Sequence, residues 1–253
     1  MRLSKLHFSL LSALIFLLAL SPINTSAQSS RIKDFNQNAW FMYLGSNKLS
    51  DKWGLHTEMQ LRRHDIVKDP QQLLLRTGLN YNITDNSMFT LGYGFIETYP
   101  YGEFPAADNF IEHRLYEQLQ LKGNIARVGL THRYRLEQRW VQSPVTSEYT
   151  YLNRARYMLR ATLPLVGPTT EAKEPYLAVY DEVFVGFGNN IQRNIFDQNR
   201  AYVALGFKLS EAASVEAGYL NQIVQKPNGT VFEHNHTLQL GLFYNLNFSK
   251  KAE

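Results

Sequence analysis

The sequence predicts an all-β protein, an antiparallel up-and-down transmembrane β-barrel of about 10–12 strands. Three observations carry that expectation. Apolar side chains recur at every second position over most of the chain, which is the period of a half-buried strand and not of a helix. The alternating segments are long, many well beyond the five or six residues usual in soluble sheets, and ten or more residues is what a tilted strand needs to cross a bilayer. The chain also opens with a secretory leader, which directs it out of the cytoplasm.

Arg2 and Lys5 give the leader its positive start, and "FSLLSALIFLLALS" supplies its apolar core. The small residues Thr25 and Ala27 place cleavage after Ala27, so residues 1–27 are the signal peptide and 28–253 a single barrel domain. The apolar core is too short for a spanning helix. Without Arg2 and Lys5 the formal charge falls from +4 to +2, too weak to indicate a nucleic-acid partner. The chain has no cysteine, which excludes a disulfide framework, thiolate chemistry, a Cys-based metal site and a lipoprotein anchor.

The strands follow in order. Trp53, Leu55, Thr57, Met59 and Leu61 oppose Gly54, His56, Glu58, Gln60 and Arg62. Leu73, Leu75, Thr77, Leu79 and Tyr81 oppose Leu74, Arg76, Gly78 and Asn80. In "HRYRLEQRW" the charged quartet Arg133, Arg135, Glu137 and Arg139 alternates with Tyr134, Leu136 and Trp140. Tyr151, Ala155, Tyr157, Leu159, Ala161 and Leu163 oppose Arg154, Arg156, Arg160 and Thr162. Ala201, Val203, Leu205, Phe207 and Leu209 oppose Arg200, Tyr202, Gly206 and Lys208. The last strand sets Leu238, Leu240, Leu242, Tyr244, Leu246 and Phe248 against Thr237, Gln239, Gly241, Asn245 and Asn247. Glu117, His132 and Asp181 fall on nominally apolar faces. Residues 215–226 lose phase near Leu220, where a β-bulge would restore it.

These segments give strands near 39–46, 52–63, 72–83, 87–99, 110–121, 125–140, 149–163, 175–186, 198–209, 214–225 and 231–248. The prolines after the leader lie in or beside the connections, as strand hydrogen bonding requires. Connections alternate between short ones such as "TDN" and "KGN" and longer ones such as "YPYGEFPAAD" and "FGNNIQRNIF". Outer-membrane barrels have short periplasmic turns, longer outer loops and normally an even strand count. On that rule the final strand runs down, and so does the strand near Trp40. A twelfth strand at residues 28–38, or their passage through the lumen, would reconcile the count.

The segments "RRHDIVKDPQQLLLRTGLNY", "YGFIETYPYGEF", "HRLYEQLQ", "RYRLEQRW", "YDEVFVGFG", "FDQNRAYVALGFKLS" and "HNHTLQLGLF" resemble a family of Gram-negative outer-membrane proteins catalogued as domain of unknown function 2490. The resemblance spans nearly all of residues 38–248 and implies a barrel in the outer membrane, with no established activity. The last strand also resembles the insertion signal read by the barrel-assembly machinery, carried here by Gln239, Gly241, Tyr244, Leu246 and Phe248.

In a barrel the apolar faces meet lipid and the charged faces meet the lumen. The expected lumen charge network is Glu58, Arg62, Arg76, Arg133, Arg135, Glu137, Arg139, Arg154, Arg156, Arg160 and Arg200, with Glu112, Glu182, Glu216 and Glu233 as further inward acids. Guanidinium forks bind carboxylates bidentately, so the charges pair into a closed structural filling or leave a narrow, basic conduit for small anions. Trp40, Trp53, Trp140, Tyr244 and Phe248 suit aromatic girdles at the lipid interface. His234 and His236 share a strand face beside Glu233 and form a weak candidate metal pair. No third ligand and no activated nucleophile accompany them, so the lipid-modifying hydrolase reading names no catalytic residue. The expected partners are outer-membrane lipid and the assembly machinery, with no cofactor, no nucleic acid and no identified ligand.

Overall fold

A computed structural model describes residues 31–249. The leader and its cleavage point lie outside the described residues. Eleven strands form one closed barrel. They are β1 (Ile32–Lys48), β2 (Trp53–His64), β3 (Asp69–Thr84), β4 (Ser87–Thr98), β5 (Phe110–Ile125), β6 (Val128–Gln142), β7 (Tyr149–Pro164), β8 (Glu174–Phe187), β9 (Phe196–Lys208), β10 (Ala213–Gln225) and β11 (Val231–Tyr244). Each strand pairs with its sequence neighbours in antiparallel fashion. The exception is the closing seam, where β1 and β11 run parallel from Ile32↔Val231 to Leu44↔Phe243. A meander with an odd number of strands must close this way, because its first and last strands point in the same direction.

Residues 32–38 are therefore neither a twelfth strand nor a segment threading the lumen; they extend β1. The connections sort into two ends. Residues 65–68, 99–109, 143–148, 188–195 and 226–230 lie at what we call the loop end. Residues 49–52, 85–86, 126–127, 165–173 and 209–212 lie at the turn end, where β11 also finishes.

Period-two alternation explains which side chains face out. Leu75, Leu91, Leu136, Leu159, Leu205 and Leu240 are among the many large apolar side chains exposed on the outer face. Glu117 and Asp181 interrupt it, and a neighbouring amide holds each: Gln138 Nε2 donates to Glu117 Oε2 at 3.1 Å, and Asn199 Nδ2 donates to Asp181 Oδ2 at 3.0 Å. His132 also faces out, with its Nδ1 2.9 Å from the Tyr157 hydroxyl.

The β10 segment carries no bulge. It pairs in unbroken register with both β9 and β11, and Leu220 points inward, fully buried. What reads as a lost phase in the sequence is an apolar residue on the lumen face. Trp40 is likewise no girdle residue. It is 2 % exposed and packs in the lumen with Tyr202, Ala204 and Leu220. Trp53 and Tyr244 are exposed at the turn end. Strand β11 stops at Tyr244, so Leu246 and Phe248 follow it, tied to β1 through backbone bonds with Lys48.

Candidate functional site: the arginine-rich lumen

The inner face is built from the alternate residues of every strand, and the expected charges converge there. Opposite positions on β6 and β7 pair Glu137 with Arg154 and Arg135 with Arg156. Glu137 is the hub. Arg154 Nη2 and Arg156 Nη1 each lie 2.6 Å from it, and Arg114, Arg135 and Arg76 approach to 3.5, 3.8 and 3.9 Å. Five guanidinium groups from four strands thus surround one carboxylate whose side chain is completely buried. A charge so far from water is tolerated only when paired and hydrogen-bonded, and here one acid satisfies several bases in part.

Smaller clusters surround this hub. Glu112 receives Arg114 at 2.6 Å and Arg139 at 2.7 Å. Glu58 receives Arg76 at 2.9 Å, and Glu216 receives Arg160 together with the Tyr176 hydroxyl at 3.0 Å. Arg154 also reaches Asp197 at 2.6 Å. Glu182 sits opposite Arg200 in the β8–β9 register, yet it turns to Arg133 at 2.8 Å and Arg156 at 2.7 Å. Arg200 is left with Gln198 alone as a side-chain acceptor, at 3.5 Å, and its guanidinium lies over the rings of Trp40 and Phe184. Arg62 is similar: its acceptors are Gln60 and Gln72, and it stacks 3.8 Å over Trp40. Cation–π contact partly replaces the missing carboxylate for both.

Two cavities occupy the lumen. The turn-end cavity, about 490 Å³, is lined by six arginines and Lys122 against the three carboxylates Glu58, Glu182 and Glu216. The loop-end cavity, about 170 Å³, is lined by seven arginines against Glu112 and Asp197. Trp40, Arg76, Arg156 and Arg200 border both and form a waist between them. Four buried guanidinium nitrogens have no hydrogen-bond acceptor: Arg76 Nε, Arg133 Nε, Arg135 Nη1 and Arg200 Nε. All four belong to residues lining the turn-end cavity. A buried donor without an acceptor costs about 1–3 kcal/mol, more when charged.

The loop end is covered. Tyr101, in the long 99–109 connection, reaches into the barrel and donates to Glu233 at 2.9 Å, while Lys226 pairs with the same carboxylate at 2.5 Å. Burial, reinforced by the adjacent Glu233 charge, holds the Tyr101 phenol well above its usual range. Gly102 follows with φ +74° and lies against Asp34 and Asn36 of β1; a side chain there would meet both the strained backbone and these polar atoms.

Glu233 therefore faces the lumen, on the opposite side of the wall from His234 and His236. His236 Nδ1 is 2.6 Å from the Tyr219 hydroxyl, and the His234 ring packs 5.1 Å from Phe35. Among the described residues no group of three or more His, Asp or Glu side chains is placed to hold a metal. Of the remaining sequence-marked residues, Gln239 is buried on the lumen side and Gly241 follows on the same face.

Sequence reasoning missed Arg114, although Glu112, Arg114, Tyr116 and Gln118 alternate visibly in β5. It also missed the apolar part of the lumen. Two of its rings fit because glycines face them: a Cβ at Gly92 would overlap Tyr116, and one at Gly206 would overlap Tyr176.

Residues 37–233 match the family described as protein of unknown function (DUF2490). An uncharacterised protein of Methylorubrum extorquens is 28% identical over 190 residues, covering 74% of this chain and 78% of that protein. No solved structure matches the chain.

Proposed function

We propose that this chain, which belongs to the DUF2490 family of proteins of unknown function, is an integral outer-membrane barrel that binds a small anion in the turn-end half of its lumen. The observation that carries the binding reading is the set of four buried guanidinium donors without acceptors, gathered on one cavity whose cations outnumber its acids. A low-dielectric wall strengthens such a potential. The membrane reading is supported by the outer face. Soluble monomers rarely expose apolar patches beyond about 300–600 Å², whereas here apolar side chains are exposed on every strand. Strands of 12 to 17 residues also suit a tilted span. By the short-turn rule the turn end is periplasmic, so the larger cavity opens toward the periplasm.

A second reading, a purely structural barrel, is favoured by one feature: the Glu137 hub fills the waist with ion pairs. Titration calorimetry with sulfate at low ionic strength separates the two. A saturable site, weakened at least tenfold by Arg133→Gln with Arg200→Gln, is expected. Absence of sulfate binding to a folded barrel would favour the structural reading. Location is tested by fractionation: the protein should stay with carbonate-washed outer membranes and migrate anomalously on gels until heated. Recovery in the soluble periplasmic fraction would overturn the membrane reading.

A further inference from the structure

We infer that the anion taken by the turn-end cavity is amphiphilic: a single carboxylate or phosphate head on an unbranched alkyl chain. This rests on the anion-binding reading above and adds the apolar half of the ligand. The cavity is not uniformly polar. Met42 and Leu44 on β1, Met88 on β4, Met158 on β7, Tyr176 on β8 and Phe243 on β11 also line it. Three of the protein's five methionines thus border this one space. Methionine is unbranched and adaptable, and it suits a flexible alkyl chain better than a small hydrated ion.

The two characters share the wall of the cavity. Of the residues with free donors, Arg200 borders the waist, Arg135 lies opposite the waist residue Arg156, and Arg133 sits nearer the turn end, opposite Met158. Leu44, Tyr176 and Phe243 lie close to the turn-end limits of their strands, with Tyr176 and Phe243 beside the Arg160–Glu216 pair. A ligand entering head first from the turn end would bring its charge to Arg135 and Arg200 and leave its chain along Met158, Leu44 and Phe243. The volume, about 490 Å³, falls within the roughly 300–1,000 Å³ usual for small-ligand sites.

The test is calorimetry on the purified full-length barrel held in amphipol. The probes are inorganic phosphate, monoalkyl phosphates from methyl to hexyl, acetate, hexanoate and hexanol. Each methylene that enters should tighten binding about fourfold. Hexanoate should bind more tightly than acetate, and hexanol weakly. Leu44→Gln with Phe243→Gln should flatten the alkyl series and leave inorganic phosphate unchanged. Arg133→Gln with Arg200→Gln should weaken every charged probe, which also distinguishes the cavity from partition into amphipol. A flat series with phosphate still bound would overturn the amphiphile and leave the anion site standing. Hexanol binding as tightly as hexyl phosphate, or no probe binding at all, would remove the anion site itself.

Discussion

The two halves of the barrel wall fill the lumen in different ways. On β2 to β7 the inner face is ionic: every inward arginine named above except Arg200 lies there, cross-linked through Glu58, Glu112 and Glu137. On β8 to β11 and β1 an aromatic and aliphatic cluster sits among neutral polar groups and the acids Glu182, Glu216 and Glu233. Tyr180 and Tyr202 pack with ring centroids 4.7 Å apart, and Trp40, Ala204 and Leu220 complete the cluster. The ionic wall is held by charges that must find partners across the lumen. The apolar wall is held by shape. Arg200, on β9 beside the apolar cluster, keeps only Gln198 as a side-chain acceptor and leaves its Nε unpaired. The free donors are confined to neither wall: Arg76, Arg133 and Arg135 lie on β3 and β6, and Arg200 on β9.

The largest expected effect breaks the ionic wall. Glu137→Ala leaves five guanidinium groups without their common acid, and removing one partner of a buried ionic cluster costs about 3–5 kcal/mol. Urea-induced unfolding in lipid vesicles should show the loss, and an unchanged midpoint would mean that the hub is not a determinant of stability. Next comes the apolar wall. Leu220→Ala opens a cavity beside Trp40 and should cost about 3 kcal/mol by the same assay, with anion binding retained. A double change, Arg135→Gln with Arg156→Gln, sharpens the contrast. It should weaken anion preference and lower stability by about 2 kcal/mol, because Glu137 and Glu182 lose partners. The smallest effect concerns the outer face. Asp181→Leu should raise stability by about 1 kcal/mol in a bilayer, since a charge at mid-strand is unfavourable against lipid. A loss of stability there would speak for water, not lipid, around β8.

Much of this was legible in the sequence. Strict alternation on β6 and β7 placed Arg133, Arg135, Glu137, Arg139, Arg154, Arg156 and Arg160 on one face, because every other residue there is uncharged. The apolar wall was less legible for the same reason in reverse. Where both faces carry apolar groups, as at Tyr219 and Leu220, the period no longer says which one points inward. Pairing was also hidden. Registers bring Glu182 opposite Arg200, yet its bonds go to Arg133 and Arg156, a choice made by side-chain reach across the lumen. The parallel seam follows from the strand count alone, but only once residues 32–38 are joined to β1.

Planar-bilayer recording of the purified barrel measures the electrical character of the lumen most directly. The filled waist and the excess of arginine predict no more than a small conductance, with a reversal potential on the anion side in a potassium chloride gradient. A wide, cation-selective conductance would contradict both the closed waist and the positive lumen.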